Sequence, residues 1–315
     1  MNAQPQSIDH ARGRLLAALA SLNQVLLGKD REVRLALCCM LARGHLLIED
    51  IPGVGKTVLA HALARVLGLS YQRIQFTSDL LPADVIGISI YDRASGRFMF
   101  HRGPVFAQLV LADEVNRATP KAQSALLEAM EERQVTIDGE THNLPEPFFI
   151  VATQNPSFQI GTFPLPESQI DRFLMRIELG FPAPGHERQL LRGPDRRDLL
   201  AGLPAVLDPA TIPTLQHQVA EIHASDALLD YVQALARASR DGSLHQTGLS
   251  PRAVISLLRA ARAWAFLHGR AGVLPEDIQA VLPAVVGHRL RPRDAADSRS
   301  PNEIAAALMK SVPIP

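Results

Sequence analysis

The sequence predicts an α/β protein with a mostly parallel sheet, followed by an all-α part. Two observations carry this. Short, mainly apolar runs, His45–Ile48, Leu109–Ala112 and Phe148–Ala152, alternate with helical patterns, as strands buried on both faces do. After Pro182 strand signals stop and only helical periodicity remains. The expected division is an α/β part over 1–183 and an all-α part over 184–315, joined at Phe181-Pro-Ala-Pro-Gly185.

Taken in order, residues 8–43 read as helices with Leu15, Leu16, Leu19 and Leu22 at helical spacing, interrupted at Gly28. The first apolar strand follows, then a helix over Thr57–Leu67 that Gly68 can close. Tyr71–Phe76 reads as a second strand. Residues 86–103 alternate apolar and polar on both sides of Asp92-Arg-Ala-Ser-Gly96, the pattern of a β-hairpin. Thr119-Pro120 suits the start of a helix running to about Arg133. A second hairpin over 135–145 turns on Asp138-Gly139. Helices are expected at about 186–201, 210–222, 225–239, 251–268 and 275–287, with a polar, partly loose tail after Arg291.

Composition narrows the function classes. Lys and Arg balance Asp and Glu at 32 each, and aromatics make up 5% of the 315 residues. Bulk charge therefore does not hold this chain to nucleic acid or anionic lipid. No run of 18 apolar residues exists, so no membrane span is expected. Met1-Asn-Ala-Gln-Pro-Gln has no basic start before an apolar stretch, which predicts no signal peptide and a cytoplasmic location. Cys38 and Cys39 are adjacent within an apolar helical run and read as small buried thiols. The eleven histidines form no ligand-type cluster with cysteine or carboxylate, so any metal is Mg²⁺ arriving with a nucleotide.

The strongest chemical signal is Asp50-Ile-Pro-Gly-Val-Gly-Lys56-Thr57, set between an apolar strand and an amphipathic helix. Pro52, Gly53, Val54 and Gly55 form a turn whose backbone N–H groups can approach phosphate oxygens. Lys56 adds a point charge against the β- and γ-phosphates of ATP, and the Thr57 hydroxyl can ligate Mg²⁺. Asp50 stands where the common motif has its first glycine. Asp113 and Glu114 end a strand at the sheet edge where such folds bind ligands. Asp113 would hold Mg²⁺ through water, and Glu114 would orient and polarise the attacking water; a kinase acting on another substrate needs no such acid.

Three further segments fit this chemistry. In Ile150-Val-Ala-Thr-Gln-Asn155-Pro156 a buried strand again ends in polar residues, and Asn155 could bond a γ-phosphate or the lytic water; the alternative is a simple turn made by Asn155-Pro156. Arg172 could be a surface charge or an arginine finger on a neighbouring subunit's ATP. Ser250-Pro251 suits a helix start, which places Arg252 in a first turn where the dipole disfavours a cation unless it meets an anion. Arg289, Arg291 and Arg293 read as a solvated basic tail, and Asn116-Arg117 as either an interface or the next turn.

Together these segments resemble AAA+ ATPases, specifically the MoxR family, from about Leu26 to Arg293. The most specific stretches are Gly44–Thr57, Gly103-Pro-Val-Phe-Ala107, Asp113-Glu-Val-Asn-Arg117 with Gln123–Met130, and Pro164–Leu174. Asp50 is typical of that family. The resemblance implies an AAA+ P-loop domain with β-hairpin inserts and an all-α lid domain. It implies that Lys56 and Thr57 belong to Walker A and that Asp113 and Glu114 form Walker B. Asn155 would be sensor 1, Arg172 the arginine finger and Arg252 sensor 2, with an adenine pocket near Val25–Gly28. The hairpins would project toward a central pore. It further implies ATP with Mg²⁺, a hexameric homo-oligomeric ring, and chaperone-like remodelling or maturation of client proteins, often with a von Willebrand factor A domain partner. A nucleic-acid motor or loader is the second expectation, disfavoured by neutral charge and scarce aromatics. A binding module with negligible turnover is the third, disfavoured by the Asp113-Glu114 pair.

Overall fold

The computed structural model describes residues 5–155, 162–241, 247–290 and 299–314. Helices α1 (Pro5–Val25) and α2 (Asp30–Leu41) open the chain and part where Gly28 takes a φ of 70°. Next come β1 (Leu46–Glu49), α3 (Lys56–Val66), β2 (Tyr71–Gln75), α4 (Pro82–Ile86), the hairpin β3 (Gly87–Asp92) and β4 (Arg97–Arg102), and β5 (Leu109–Asp113). They are followed by α5 (Pro120–Glu132), the hairpin β6 (Gln134–Ile137) and β7 (Glu140–Asn143), β8 (Phe149–Gln154), α6 (Glu167–Ile170) and β9 (Met175–Ile177). The remaining elements are α7 (Pro184–Arg192), α8 (Arg196–Gly202), α9 (Ile212–Ala220), α10 (Asp226–Arg240), α11 (Pro251–Leu267), α12 (Pro275–Val286) and α13 (Pro301–Ser311).

The five-stranded sheet has the order β2-β5-β8-β1-β9, and every pair in it is parallel. Its inner strands alternate between two cores, as a period of two requires. Leu46, Ile48, Leu109, Leu111, Phe149 and Val151 face α2, α3 and the C-terminal helices. Leu47, Val110, Ala112, Ile150 and Ala152 face α4, α5 and Val135 of the second hairpin. The first core continues into α11 and α12 through Leu257, Ala261, Val281 and Val285. Gln216 of α9 ties the two parts by donating to the Met40 carbonyl of α2 at 2.8 Å. Cys38 and Cys39 are fully buried, and burial pushes both thiols well above their ordinary range.

The hairpins stand apart from the sheet. Asp138 and Gly139 take φ of 52° and 83°, the pair of left-handed residues a tight hairpin turn needs. The Phe100 and His142 rings stack at 4.2 Å and join the two hairpins. Ile88, Ile90, Tyr91, Phe98 and Met99 leave exposed apolar surface on the first.

Several elements differ from expectation. The helix expected over 186–201 is two, because Pro194 has no N–H and drives Gly193 to an extended ψ of 171°. Thr119 precedes α5 but makes no side-chain cap bond. Strand β9 has three residues, too few to show a pattern. Within the tail, Ser300 and Glu303 form a reciprocal capping box for α13, with Ser300 N donating to Glu303 at 2.7 Å, and Ile304, Ala305 and Leu308 are buried. Arg289 is no solvated tail residue: its side chain is 5% exposed and pairs with Asp171 at 2.6 Å. Arg291 and Arg293, like Pro156, lie outside the described residues.

Candidate active site

The carboxyl ends of β1, β5 and β8 lie side by side, because β8 pairs with both neighbours. Residues from three separate segments meet there. The turn after β1 holds Gly53 at φ 87° and Gly55 at φ 101°. A Cβ on either glycine would meet nothing within 4 Å, so the backbone angle, and not crowding, requires glycine. Gly55 then serves as the N-cap of α3, and Lys56 and Thr57 open that helix with its N–H groups aimed at the turn. Pro52 and Gly53 are exposed, and Val54, Gly55 and Thr57 half-buried.

Lys56 is buried, and that burial pulls its ammonium below the usual lysine range against the opposing pull of Asp50, Asp113 and Glu114. Its Nζ donates to Asn155 Oδ1 at 3.0 Å, to the Asp50 carbonyl, and to the Gln154 carbonyl at 3.4 Å. Asn155 in turn donates from Nδ2 to Glu114 Oε1 at 3.0 Å. One amide thus spans the lysine and the acid. Glu114 has a φ of 56°, unusual for a non-glycine residue, and its N–H donates to Thr153 Oγ1 at 2.8 Å. Its Oε2 accepts from Gln75 at 3.2 Å and from Arg117 at 3.0 Å.

Asp113 is buried with both oxygens engaged. Oδ1 accepts from Thr153 Oγ1 at 2.6 Å, and Oδ2 accepts from Arg73 at 3.0 and 2.6 Å. Among the described residues no group of three His, Cys, Asp or Glu forms a protein cage for a metal. Thr57 and Asp113 are hard oxygen donors, the kind Mg²⁺ takes when phosphates and water complete its shell. The donor set fits that ion.

Asp50 has a structural answer. Its Oδ2 accepts from Leu179 N at 2.7 Å and Gly180 N at 2.6 Å, and its Oδ1 from Ile51 N at 2.8 Å. The carboxylate therefore ties the start of the turn after β1 to the strap between β9 and α7. Lys29 donates to the Leu179 and Phe181 carbonyls of the same strap. At the expected adenine region, a Cβ on Gly28 would lie 2.3 Å from the His186 ring of α7, so Gly28 permits that close approach.

Arg172 and Arg252 are not part of this cluster. Both sit beside Gly44, His45 and Leu174, at the amino ends of β1 and β9, the opposite end of the sheet from Lys56. Arg172 Nε lies 3.0 Å from Glu131 Oε2, and Arg252 donates to the other oxygen of the same carboxylate. Arg172 also donates to the Leu127 carbonyl at 2.7 Å. Ser250 caps α11 through Ala253 N at 3.1 Å and bonds Asp171 at 3.3 Å.

Sequence reading missed Arg73, Gln75, Thr153 and Glu131. Gln75 sits in register with Asp113 across β2 and β5. That neighbourhood is a fact of strand order, which no local pattern in Tyr71–Gln75 reveals. Glu131 was hidden as one of several charges on the α5 surface.

The family described as ATPase family associated with various cellular activities matches residues 45–175, and the AAA lid domain matches residues 237–308. The chain is 40% identical to Chaperone MoxR1 of Mycobacterium tuberculosis over 95% of its own length and 81% of that protein. It is 36% identical to Protein MoxR of Paracoccus denitrificans, covering 97% of each. A crystal structure from Cytophaga hutchinsonii, of a protein with a provisional ATPase assignment, superposes with a TM-score of 0.88 at 35% identity, covering 98% of this chain and 97% of that one.

Proposed function

The chain belongs to the MoxR family of AAA+ ATPases, and from that premise we propose that it hydrolyses ATP at the Lys56–Asp113–Glu114–Asn155 cluster to act, as a ring, on partner proteins. The observation that carries the reading is the Asn155 amide, which joins Lys56 to Glu114 in one hydrogen-bonded line. A γ-phosphate on Lys56 and a water on Glu114 would share that single reporter.

The residues divide the work. The N–H groups of the 52–57 turn bind the phosphates, with the start of α3 contributing its dipole. Lys56 meets β- and γ-oxygens, exchanging its carbonyl acceptors for them. Thr57 and Asp113 would hold Mg²⁺, which when bound neutralises charge on the phosphates. Glu114, restrained by Gln75 and Arg117, orients and polarises the attacking water. Asn155 holds that water or the departing phosphate. Catalysis here is positioning and electrostatics.

Arg172 and Arg252 serve a neighbour in this reading. Reaching Lys56 of their own chain would mean crossing the sheet, whereas a second copy docked on the Glu131 face would offer its phosphates to both. A hexameric ring, exposed hairpins turned toward its pore, a boundary near residue 183 between nucleotide-binding core and lid, and a chaperone-like role toward a client, with a von Willebrand factor A domain protein as partner, complete the proposal. The name of one relative, Chaperone MoxR1, supports the chaperone-type role.

Phosphate release and nucleotide binding, measured together, test it. Lys56→Ala should lose binding. Glu114→Gln should keep binding and lose turnover by on the order of a hundredfold. Normal turnover by Glu114→Gln would refute the assignment.

A further inference from the structure

Arg43 and Arg133 share an unusual backbone. Their φ angles are 58° and 53°, in the left-handed region that glycine ordinarily fills at helix ends. Arg43 follows α2 in a glycine-type cap, with Arg43 N donating to the Met40 carbonyl at 3.0 Å and Gly44 N to that of Cys39 at 2.9 Å. Arg133 is the C-cap of α5. The other two such residues among those described are Glu114 in the candidate active site and Asp138 in a hairpin turn. Strained backbone of this kind collects where side chains must be aimed.

Both arginines line one groove of about 480 Å³ between α2, α5, α9 and α11, with Arg259 and Arg262 opposite and an apolar floor that includes Leu41 and Val219. The positive charge is poorly answered. Arg43 meets Glu146 at 3.3 Å, and Arg133 donates to the Arg43 carbonyl at 3.1 Å. Arg259 and Arg262 have no hydrogen-bond or ion-pair partner among the described residues, and Arg262 Nε is buried without one. Glu131 nearby is already shared by Arg172 and Arg252. Burial and the like charges of Arg43 and Arg259 hold the Arg133 guanidinium below its ordinary range, with Glu146 opposing. Two converging helix C-termini favour cations at Arg43 and Arg133. They do not account for Arg259 and Arg262, which project from the middle of α11 and add repulsion.

We infer that this groove binds a free, multiply charged anion of the phosphate class, gripped by the guanidinium forks of Arg43, Arg133, Arg259 and Arg262. An anion would relieve the repulsion and satisfy the open donors, and paired guanidinium forks match phosphoryl oxygens in geometry as well as charge. The site is separate from the phosphate turn, at the other end of β1.

Titration calorimetry with inorganic pyrophosphate, on the full chain saturated with ADP so that the phosphate turn is filled, tests this. One additional site is expected, weakened about tenfold or more by Arg259→Ala and by Arg262→Ala. Arg43→Gly separates binding from folding: it should weaken pyrophosphate binding while raising the melting temperature, because glycine relaxes the cap. No binding by the ADP-loaded protein, an affinity that all three variants leave unchanged, or a lower melting temperature for Arg43→Gly would each overturn the inference. So would failure to bind pyrophosphate together with a loss of ATP turnover in Arg259→Ala, which would assign the groove to phosphates carried by a second copy.

Discussion

Glu131 Oε2 lies 3.0 Å from Arg172 Nε, and the second oxygen of that carboxylate takes Arg252, so one acid holds both arginines that the MoxR resemblance singles out. If those arginines act on a neighbour's ATP, Glu131 competes with that ATP for them. Glu131→Gln keeps the shape and removes the charge. Both pairs are about a third or more exposed, and such pairs contribute about 1 kcal/mol or less each. The expected effect is a shift to lower protein concentration of the half-maximal ATPase rate, by up to roughly tenfold. Arg172→Ala and Arg252→Ala should instead lower the plateau rate. Rate measured against protein concentration distinguishes the two, and an unshifted midpoint in Glu131→Gln would mean the acid restrains nothing.

Replacing Asp50 by glycine brings the turn after β1 closer to the common phosphate-loop sequence and should make the protein less stable. The carboxylate accepts from Leu179 N, Gly180 N and Ile51 N, and glycine leaves those donors without it. A lost partner for a part-buried N–H costs roughly 1–3 kcal/mol. Denaturant unfolding of Asp50→Gly is expected to show a loss of about 2–4 kcal/mol, after some recovery by water. Stability equal to the parent would show that the strap is held by other contacts.

Much of this was legible in the sequence because it depends on local pattern. Apolar runs such as Leu109–Ala112, too short for a helix, fit strands with both faces covered, and Gly53 and Gly55 announce left-handed backbone before a helix. What stayed hidden depends on neighbourhood. Arg73 and Gln75 become site residues only because β2 lies beside β5. Arg252 and Arg172 meet only because α11 packs its first turn near the end of α5, a long-range outcome of how the C-terminal helices dock. Arg289 looked like tail charge because nothing nearby in sequence reveals that Asp171 waits for it.

Asn155→Asp puts a carboxylate about where an amide now donates to Glu114 at 3.0 Å. Two carboxylates at that separation repel, and Lys56 would be drawn to the new charge. At neutral pH the variant is expected to turn over ATP more slowly than Asn155→Ala, although Asn155→Ala lacks the amide altogether. Protonation of one of the pair relieves the repulsion, so the gap between the two variants should narrow as pH falls. Profiles of kcat against pH for both proteins check this. A constant gap would mean that the negative charge is not what impairs Asn155→Asp.

His45 makes stability fall in mild acid. Its ring is buried between Met130 and Ile150, accepting from Ile150 N at 3.0 Å through Nδ1, so Nε2 carries the proton shared with the Met130 carbonyl at 3.2 Å. Burial, followed by the nearby Arg133 charge, lowers its pKa from 6.5 to about 4. The unfolded chain therefore binds this proton below pH 6.5 while the folded chain refuses it until about pH 4. Stability contributed by the neutral ring is fully present above pH 6.5, declines as pH falls through that window, and levels off below about 4. The loss across the window is on the order of 3 kcal/mol. His288 is buried with a pKa well below the ordinary value and adds a loss of the same sign. Denaturant unfolding at pH 7 and pH 5 should therefore differ less in His45→Asn than in the parent, with the residual slope from His288 and the carboxylates common to both. Equal slopes in the two proteins would show that folding leaves the proton affinity of His45 unchanged.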